Sequence, residues 1–125
     1  MTAYSVEIKE TNKELTTKER ILLKDTSDAI KLDEACSEEA VIIKPVLYAV
    51  LAVHNEKSDN VDYEQYVLQD ESGQKYVTGS ESFWSSFTNI YVEMKEDEEE
   101  DWAIKVYKLD SKNYKGKKFL TCSIV

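Results

Sequence analysis

Apolar and polar residues alternate along much of this chain with the two-residue period of β-strands. Residues 41–54 are almost continuously apolar and β-branched, which predicts a long strand buried on both faces or shared between two sides of a closed sheet. Pro45, near its start, must lie where the sheet needs no backbone donor. Residues 63–69 and 74–78 predict a β-hairpin, because the sequence between them has the composition of a turn.

One segment follows a helical period instead. Ser80 is the predicted N-cap of a helix, and a wide aromatic stripe follows it at spacings of three and four residues. The stripe comprises Phe83, Trp84, Phe87, Ile90, Tyr91 and Met94. Because this spacing places these side chains on one side of the helix, we expect them to close a core. An acidic run at residues 96–101 ends the helix.

Two further strands are predicted over residues 102–109 and 117–125. Their inward side chains are expected to be Trp102, Ile104 and Val106 in the first strand and Leu120, Cys122 and Ile124 in the second. The element order from residue 41 onward is therefore β-β-β-α-β-β. This order is that of the OB-fold, a five-stranded, partly open barrel. The predicted fold class is β-rich α+β with an OB-like barrel, and an open sheet with one packed helix is the alternative.

The first 40 residues predict a separate N-terminal extension. Residues 4–8 alternate as in a short strand, and Thr16 and Glu19 form a capping-box pattern ahead of a helix over about residues 17–24. Ile30 and Leu32 alternate in a second predicted strand. We therefore divide the chain into an extension at residues 1–40, packed on the barrel, and an OB-like domain at residues 41–125.

The charge changes sign along the chain. Residues 1–101 carry 10 Lys and Arg against 24 Asp and Glu, whereas residues 102–125 carry six Lys against one Asp, within a net charge of −9. Because fields act over a Debye length of about 8–10 Å, the last quarter is a local basic field in an acidic protein. Arg20 is the single arginine, so contacts to a polyanion would be point-charge and sequence-tolerant.

Two segments also carry a family resemblance. Residues 78–87 (TGSESFWSSF) and 111–117 (SKNYKGK) resemble small proteins from phages and mobile elements of low-GC Gram-positive bacteria. Some of these are single-stranded-DNA-binding proteins of OB type. The resemblance covers residues 42–125 and implies DNA binding in replication or recombination, with single-stranded DNA as the partner. Unlike many bacterial single-strand binders, this chain ends in an apolar segment rather than an acidic tail.

The candidate nucleic-acid site combines lysines with tyrosines. Single-strand binders join a cationic groove to aromatic platforms, and each stacked base contributes about 1–3 kcal/mol. The lysines and tyrosines of the last two strands and the loop between them are Lys105, Tyr107, Lys112, Tyr114, Lys115, Lys117 and Lys118. Tyr63 and Tyr76 are expected to point outward from the hairpin as further stacking partners. A solvated lysine-rich hairpin and ordinary cross-strand packing are the alternatives.

The sequence offers little for catalysis or metal binding. His54 is the single histidine and lacks cysteine or histidine neighbours at ligand spacing, and the chain has no phosphate-binding glycine loop or nucleophile motif. We therefore expect neither an enzyme nor a cofactor. Cys36 and Cys122 follow no disulfide pattern, and no signal peptide or membrane-spanning segment is evident, which indicates the reducing cytoplasm of a bacterial host.

The residue patterns and the family resemblance together lead to two candidate functions. The first is sequence-tolerant binding of single-stranded DNA in phage or mobile-element replication or recombination. The rival is an acidic, phage-encoded inhibitor that mimics nucleic acid and binds a host protein, which the negative charge of residues 1–101 favours. Host or phage replication proteins and a second copy of the chain are further partners that the sequence leaves open.

Overall fold

The computed structural model describes residues 4–36, 39–57, 59, 61–98, 101–110 and 118–125. In this part of the chain the fold is β-rich α+β, with two open sheets and a small share of helix. The elements are β1 (Tyr4–Thr11), α1 (Thr17–Lys24), β2 (Ile30–Lys31), α2 (Leu32–Ala35), β3 (Val41–Ile43), β4 (Pro45–Asn55), β5 (Asp62–Asp70), β6 (Lys75–Thr78), α3 (Glu81–Glu96), β7 (Ile104–Asp110) and β8 (Lys118–Ile124).

The chain forms two compact units. Unit 1 comprises Met1–Ile30 and Val46–Gly79, and unit 2 comprises Lys31–Pro45 and Ser80–Val125. These units do not follow the predicted division at residue 40, because the first 30 residues group with the strands of the hairpin.

Unit 1 is built on a sheet with the strand order β1-β4-β5-β6-β2. The predicted hairpin is confirmed as the antiparallel pair β5–β6, and β1 pairs antiparallel with β4. Leu23 from α1 joins buried side chains of the central strands in one cluster, with Leu47, Ala49, Leu51, Val53, Val67 and Val77. The predicted capping box of α1 is present, since Thr16 and Glu19 each accept a hydrogen bond from the other's backbone N–H.

Unit 2 is built on a three-stranded sheet in which β7 lies between β3 and β8. The helix α3 begins after the predicted N-cap Ser80, whose hydroxyl accepts from the Phe83 N–H. It packs along β8, where Ser82 Oγ donates to the Leu120 carbonyl at 2.8 Å. Phe83 and Phe87 are fully buried, as the helical stripe predicts. Stacked rings then continue from Phe87 to Tyr91 at 6.0 Å between ring centroids.

The long first strand is divided in two. β3 ends at Ile43 and pairs with β7, whereas β4 starts at Pro45 and neighbours β5 in the other sheet. Proline supplies no N–H and fixes φ, so the ladder that includes β3 cannot continue through Pro45. The strand is thus shared between two sheets, but both sheets are open, and the predicted OB-like barrel is not confirmed.

Two local predictions differ from the structure. Leu32 begins the short helix α2 and is fully buried, instead of continuing the strand at Ile30. The sequence Leu-Asp-Glu-Ala explains this difference. Asp, Glu and Ala are rare in strands, whereas Leu, Glu and Ala favour helix. Ile124, predicted to point inward, is 44% exposed at the end of β8. In the described part of the chain, no helix is both long and apolar enough to cross a lipid bilayer.

Candidate nucleic-acid interface

The sheet of unit 2 has one buried and one partly exposed face. Ile104, Val106 and Cys122 are buried, and the registers of β7 place them on one face together with Ile43. Because side chains alternate along a strand, the residues between them share the opposite face. That face, here called the β7 face, carries Ile42, Lys105, Tyr107, Leu109, Phe119, Thr121 and Ser123.

The β7 face exposes apolar and aromatic surface. Ile42 is 57% exposed, Leu109 45% and Phe119 37%, and Leu109 lies directly opposite Phe119 in the ladder. Tyr107 is half-buried and lies diagonally across from Phe119. Exposed apolar side chains that neighbour one another, as Leu109 and Phe119 do, can mark interaction sites in folded proteins. The face is thus a candidate binding surface.

Tyr107 is held in a fixed position on this face. Its phenol oxygen lies 2.7 Å from Ser123 Oγ, a neighbour on β8. Lys105, two residues earlier on β7, places its Nζ 5.9 Å from the centroid of the Tyr107 ring. This cation–π contact keeps a positive charge beside the ring. Lys105 and Tyr107 are therefore brought together as predicted, and the lysine remains exposed to solvent.

The other predicted residues of the last two strands are placed differently. Lys118 is exposed but lies directly opposite Asp110, so a carboxylate faces it. Strand alternation puts Lys118 on the same face as Leu120 and Cys122, which is the opposite face from Tyr107. Lys118 is therefore not part of the β7 face. The predicted residues Lys112, Tyr114, Lys115 and Lys117 lie outside the described residues.

Tyr63 and Tyr76 belong to unit 1 rather than to the unit of the β7 face. Tyr63 packs against the buried cluster of unit 1, which corrects its predicted outward position. Tyr76 is half-buried and lies opposite the buried Leu68 in the ladder. Burial raises the pKa of the Tyr76 phenol, and the neighbouring Asp70 carboxylate adds to this effect. Buried side chains thus lie on both faces of the hairpin, Val67 on the face of Tyr63 and Leu68 on the face of Tyr76.

Phe119 is the aromatic residue that the sequence reasoning missed. The prediction placed Leu120, Cys122 and Ile124 on the inner side of the last strand. The same alternation puts Phe119, Thr121 and Ser123 on the outer side, next to Tyr107 across the ladder. The signal was therefore in the sequence, because an outward aromatic residue follows directly from an inward leucine beside it.

The acidic run next to β7 forms one described ion pair with a lysine elsewhere in unit 2. Asp101 Oδ1 lies 2.7 Å from Lys44 Nζ, at the point where β3 gives way to β4. The hydrogen bond from Lys44 and its charge hold the pKa of Asp101 below its usual range. Glu96, Asp97 and Glu98 are exposed at the end of α3. The start of the run thus adds negative charge to the surface of the unit that carries Lys105.

The histidine and the two cysteines are the remaining candidates for chemistry, and the structure places them as follows. His54 Nδ1 lies 2.7 Å from Asp62 Oδ1 on the neighbouring strand. Cys36 and Cys122 are both free and buried, as predicted for Cys122, and burial raises the pKa of the Cys122 thiol to about 12. Among the described residues, no group of three or more His, Cys, Asp or Glu side chains is arranged to hold a metal ion.

In comparisons with known proteins, no family model, no curated protein and no solved structure matches the chain. The resemblance to single-stranded-DNA-binding proteins of phages and mobile elements stays a prediction.

Proposed function

We propose that this chain is a non-enzymatic protein that binds single-stranded DNA without sequence preference. The observation that carries the proposal is the β7 face, where Tyr107 and Phe119 are diagonal neighbours, the exposed Leu109 lies opposite Phe119, and Lys105 lies beside the Tyr107 ring. Unpaired bases stack on such rings whatever their identity, and a lysine contacts a phosphate as a point charge. Duplex DNA keeps its bases stacked inside, so this surface favours a single strand.

The proposed cellular role is phage or mobile-element replication or recombination in the bacterial cytoplasm. We further propose that the fold is a variant of the OB barrel. Two features support this. The long first strand is divided, so that β3 pairs with β7 and β4 neighbours β5. In addition, α3 lies in the sequence between the third and fourth strands of the predicted barrel. The lysines and the tyrosine predicted at residues 112–117 stay part of the proposed site.

Fluorescence anisotropy with oligo-dT tests the proposal. Oligomers between about 8 and 32 nucleotides bracket the roughly 4–16 nucleotides that one OB fold covers. Binding should weaken as salt rises, with a slope of about −0.7 per phosphate contact on logarithmic axes. Absence of binding at micromolar protein and low salt, or binding that ignores salt, would contradict the proposal.

Two substitutions and one matched control test whether DNA binds at the β7 face. Phe119→Leu keeps an apolar side chain but removes the ring, so we expect a loss of about 5- to 100-fold in affinity. Lys105→Glu should weaken binding and reduce the salt slope by about 0.7. Lys57→Glu makes the same change of charge at an exposed turn of unit 1 and should leave affinity within about twofold. Equal losses in Lys105→Glu and Lys57→Glu would argue that only net charge matters.

The rival function, an acidic mimic of nucleic acid, is favoured by the exposed carboxylates that end α3, Glu96, Asp97 and Glu98. A mimic would displace DNA from a basic host protein and would not itself shift labelled single strands. Lys105→Glu would spare such displacement, whereas it should impair DNA binding. The two functions are therefore separated by the same variant.

A further inference from the structure

The outward side of α1 is apolar as well as the side that faces the core. The helix packs against the core of unit 1 through the buried Leu23. Since successive residues of an α-helix are about 100° apart, Ile21 lies almost opposite Leu23. Ile21 is 64% exposed and Leu22 55% exposed. A surface helix needs one apolar side for its own core, so these two side chains are not needed for that packing.

Three cations accompany the exposed apolar side chains of α1. Lys18, Arg20 and Lys24 are exposed, and no ion pair between described residues involves any of them. Residues three and four apart are neighbours on a helix, so Lys18 borders Ile21 and Leu22, and Lys24 borders Ile21. Lys18, Arg20, Ile21, Leu22 and Lys24 are here called the α1 surface.

The carboxylates nearest to this surface in the sequence are bound at the two ends of the helix. The Glu19 carboxylate accepts from the Thr16 N–H at 2.9 Å, at the N-terminal end. The Asp25 carboxylate accepts from the N–H and the hydroxyl of Ser27, beyond the C-terminal end. The middle of the outward side of α1 is therefore apolar and cationic.

The C-terminal part of α3 has the opposite character. Val92 is 53% exposed, and the exposed Glu93 and Glu96 lie next to it and one turn after it. Lys95 also borders Val92, but residues 97–98 add two exposed carboxylates, so four carboxylates accompany one lysine. The end of a helix also carries partial negative charge from its carbonyls. Residues 92–98 are here called the α3 end.

We propose that the α1 surface of one copy of the chain binds the α3 end of a second copy. Ile21 and Leu22 pack on Val92, and the cations of α1 lie against the carboxylates of α3. Charge complementarity selects this arrangement, because two α1 surfaces would bring cations together and two α3 ends would bring carboxylates together. The contact joins two different surfaces, so association can continue beyond a dimer. The proposal does not depend on DNA binding.

Sedimentation velocity of the full chain, at several protein and salt concentrations, tests the proposal. We expect the average sedimentation coefficient to rise with protein concentration, and this rise to diminish as added salt screens the opposite charges at the contact. A chain that stays monomeric at every concentration would overturn the proposal. Association that salt strengthens would overturn it too, because the contact would then not depend on charge complementarity.

Two charge-reversed variants test the pairing of the two surfaces. Lys18→Glu with Lys24→Glu makes the α1 surface acidic, and Glu93→Lys with Glu96→Lys makes the α3 end basic. Each variant alone should associate about tenfold or more weakly than wild type, because like charges then meet. An equimolar mixture should restore association, since each surface then has a partner of opposite charge. All four positions are exposed, and circular dichroism checks the fold. A mixture of folded variants that does not associate would overturn the proposal.

Apolar substitutions locate the contact independently of charge. Ile21→Ser and Val92→Ser should each weaken association about three- to tenfold, because each removes apolar surface that the contact buries. Leu109→Ser is the matched control, since Leu109 is 45% exposed but lies on the β7 face, and we expect unchanged association for it. A loss in Leu109→Ser as large as that in Ile21→Ser would assign the contact to the β7 face and overturn the proposal.

Discussion

The side chain of Lys75 on β6 connects α1 to the sheet of unit 1 by hydrogen bonds. The side chain is only 11% exposed, and its Nζ donates to the Leu22 carbonyl at 2.7 Å and the Asp25 carbonyl at 2.5 Å. These carbonyls lie at the C-terminal end of α1, where few backbone donors remain, although the Leu22 carbonyl also accepts from the Asp25 N–H at 3.3 Å. The lysine therefore caps α1 from β6, which is a role that charge counting along the sequence does not suggest.

We expect Lys75→Met to lower the free energy of unfolding by about 1–3 kcal/mol, because it removes two charged hydrogen bonds and takes the lysine donor from the Asp25 carbonyl, while the Leu22 carbonyl keeps the Asp25 N–H. Urea denaturation followed by circular dichroism measures this change. Lys24→Met is the control, since Lys24 is exposed in the last turn of the same helix and should cost less than about 0.5 kcal/mol. Similar losses in both variants would show that Lys75 contributes no more than an ordinary surface lysine.

Asp70 links stability to pH at the hairpin turn. Partial burial raises the pKa of its carboxyl, but hydrogen bonds from Ser72 and Gln74 outweigh burial, so the pKa lies below its usual value of 3.8. A carboxyl with a depressed pKa in the fold stabilises the fold above its usual pKa, and this contribution is lost as the pH falls through the lower value.

Asp70→Ala should therefore lower the free energy of unfolding at pH 7 by about 1 kcal/mol, a figure reduced for the partial exposure of the carboxyl. The difference between wild type and variant should shrink below pH 4. Urea titrations at several pH values measure it. A difference that stays constant down to pH 2 would mean that the carboxylate charge has no part in the turn.

At the scale of elements, the turn between β5 and β6 depends on a backbone conformation. Gly73 has a φ of +93°, a backbone angle that residues with a Cβ rarely adopt. Its N–H donates to the Asp70 carbonyl. We expect Gly73→Ala to destabilise the protein by about 1–2 kcal/mol, measured by thermal and urea unfolding.

Gly79, just after β6, is the matched comparison. Its φ is not in the positive region, and an added Cβ would meet only the Glu64 carbonyl oxygen at 3.9 Å. Gly79→Ala should thus be neutral or stabilise the fold by up to about 1 kcal/mol. Losses of equal size at both glycines would show that an added methyl group, not the backbone angle, causes the effect.

The sequence predicts these elements well where the signal is local. The capping box at Thr16, the N-cap Ser80 and the turn after Asp70 each depend on residues within four positions of one another, and all three are present. Side-chain orientation was harder in β5, where Tyr66, Val67 and Leu68 are all buried in succession. Where consecutive residues of a strand are all buried, the alternation of apolar and polar residues does not show which side chains face solvent. The exposure of Tyr63 and Tyr76 could therefore not be predicted from it.

At the scale of the molecule, strand pairing is set by residues far apart in the sequence. The order of elements predicted a single OB-like barrel, yet β3 and β4 enter different sheets although only Lys44 separates them. The candidate site shows the same contrast. Lys105 and Tyr107 could be placed together because they lie two apart on one strand, whereas Lys118 lies on the other face and is opposed by Asp110.

Charge acts at this scale as well, because the proposed DNA binding by a protein of net charge −9 would act against the protein's own field. Glu96, Asp97 and Glu98 are exposed in the unit that carries the β7 face. Replacing them with Gln, Asn and Gln reduces the net charge to −6, and we expect tighter oligo-dT binding. The salt slope should also steepen, because in the wild type added salt screens this repulsion together with the attraction.

The control variant replaces three exposed carboxylates of unit 1, Glu7, Glu14 and Glu56, with Gln and changes the net charge equally. Anisotropy titrations of both variants across salt concentrations test whether DNA binding depends on carboxylates in the unit of the β7 face or only on the net charge of the whole chain. At about 0.15 M salt the Debye length is about 8 Å, so the effect should be confined to carboxylates near the bound strand. We therefore expect the control to change affinity less than the variant of the acidic run. Equal tightening would mean that DNA responds to total charge, and the acidic run would then have no special relation to the β7 face.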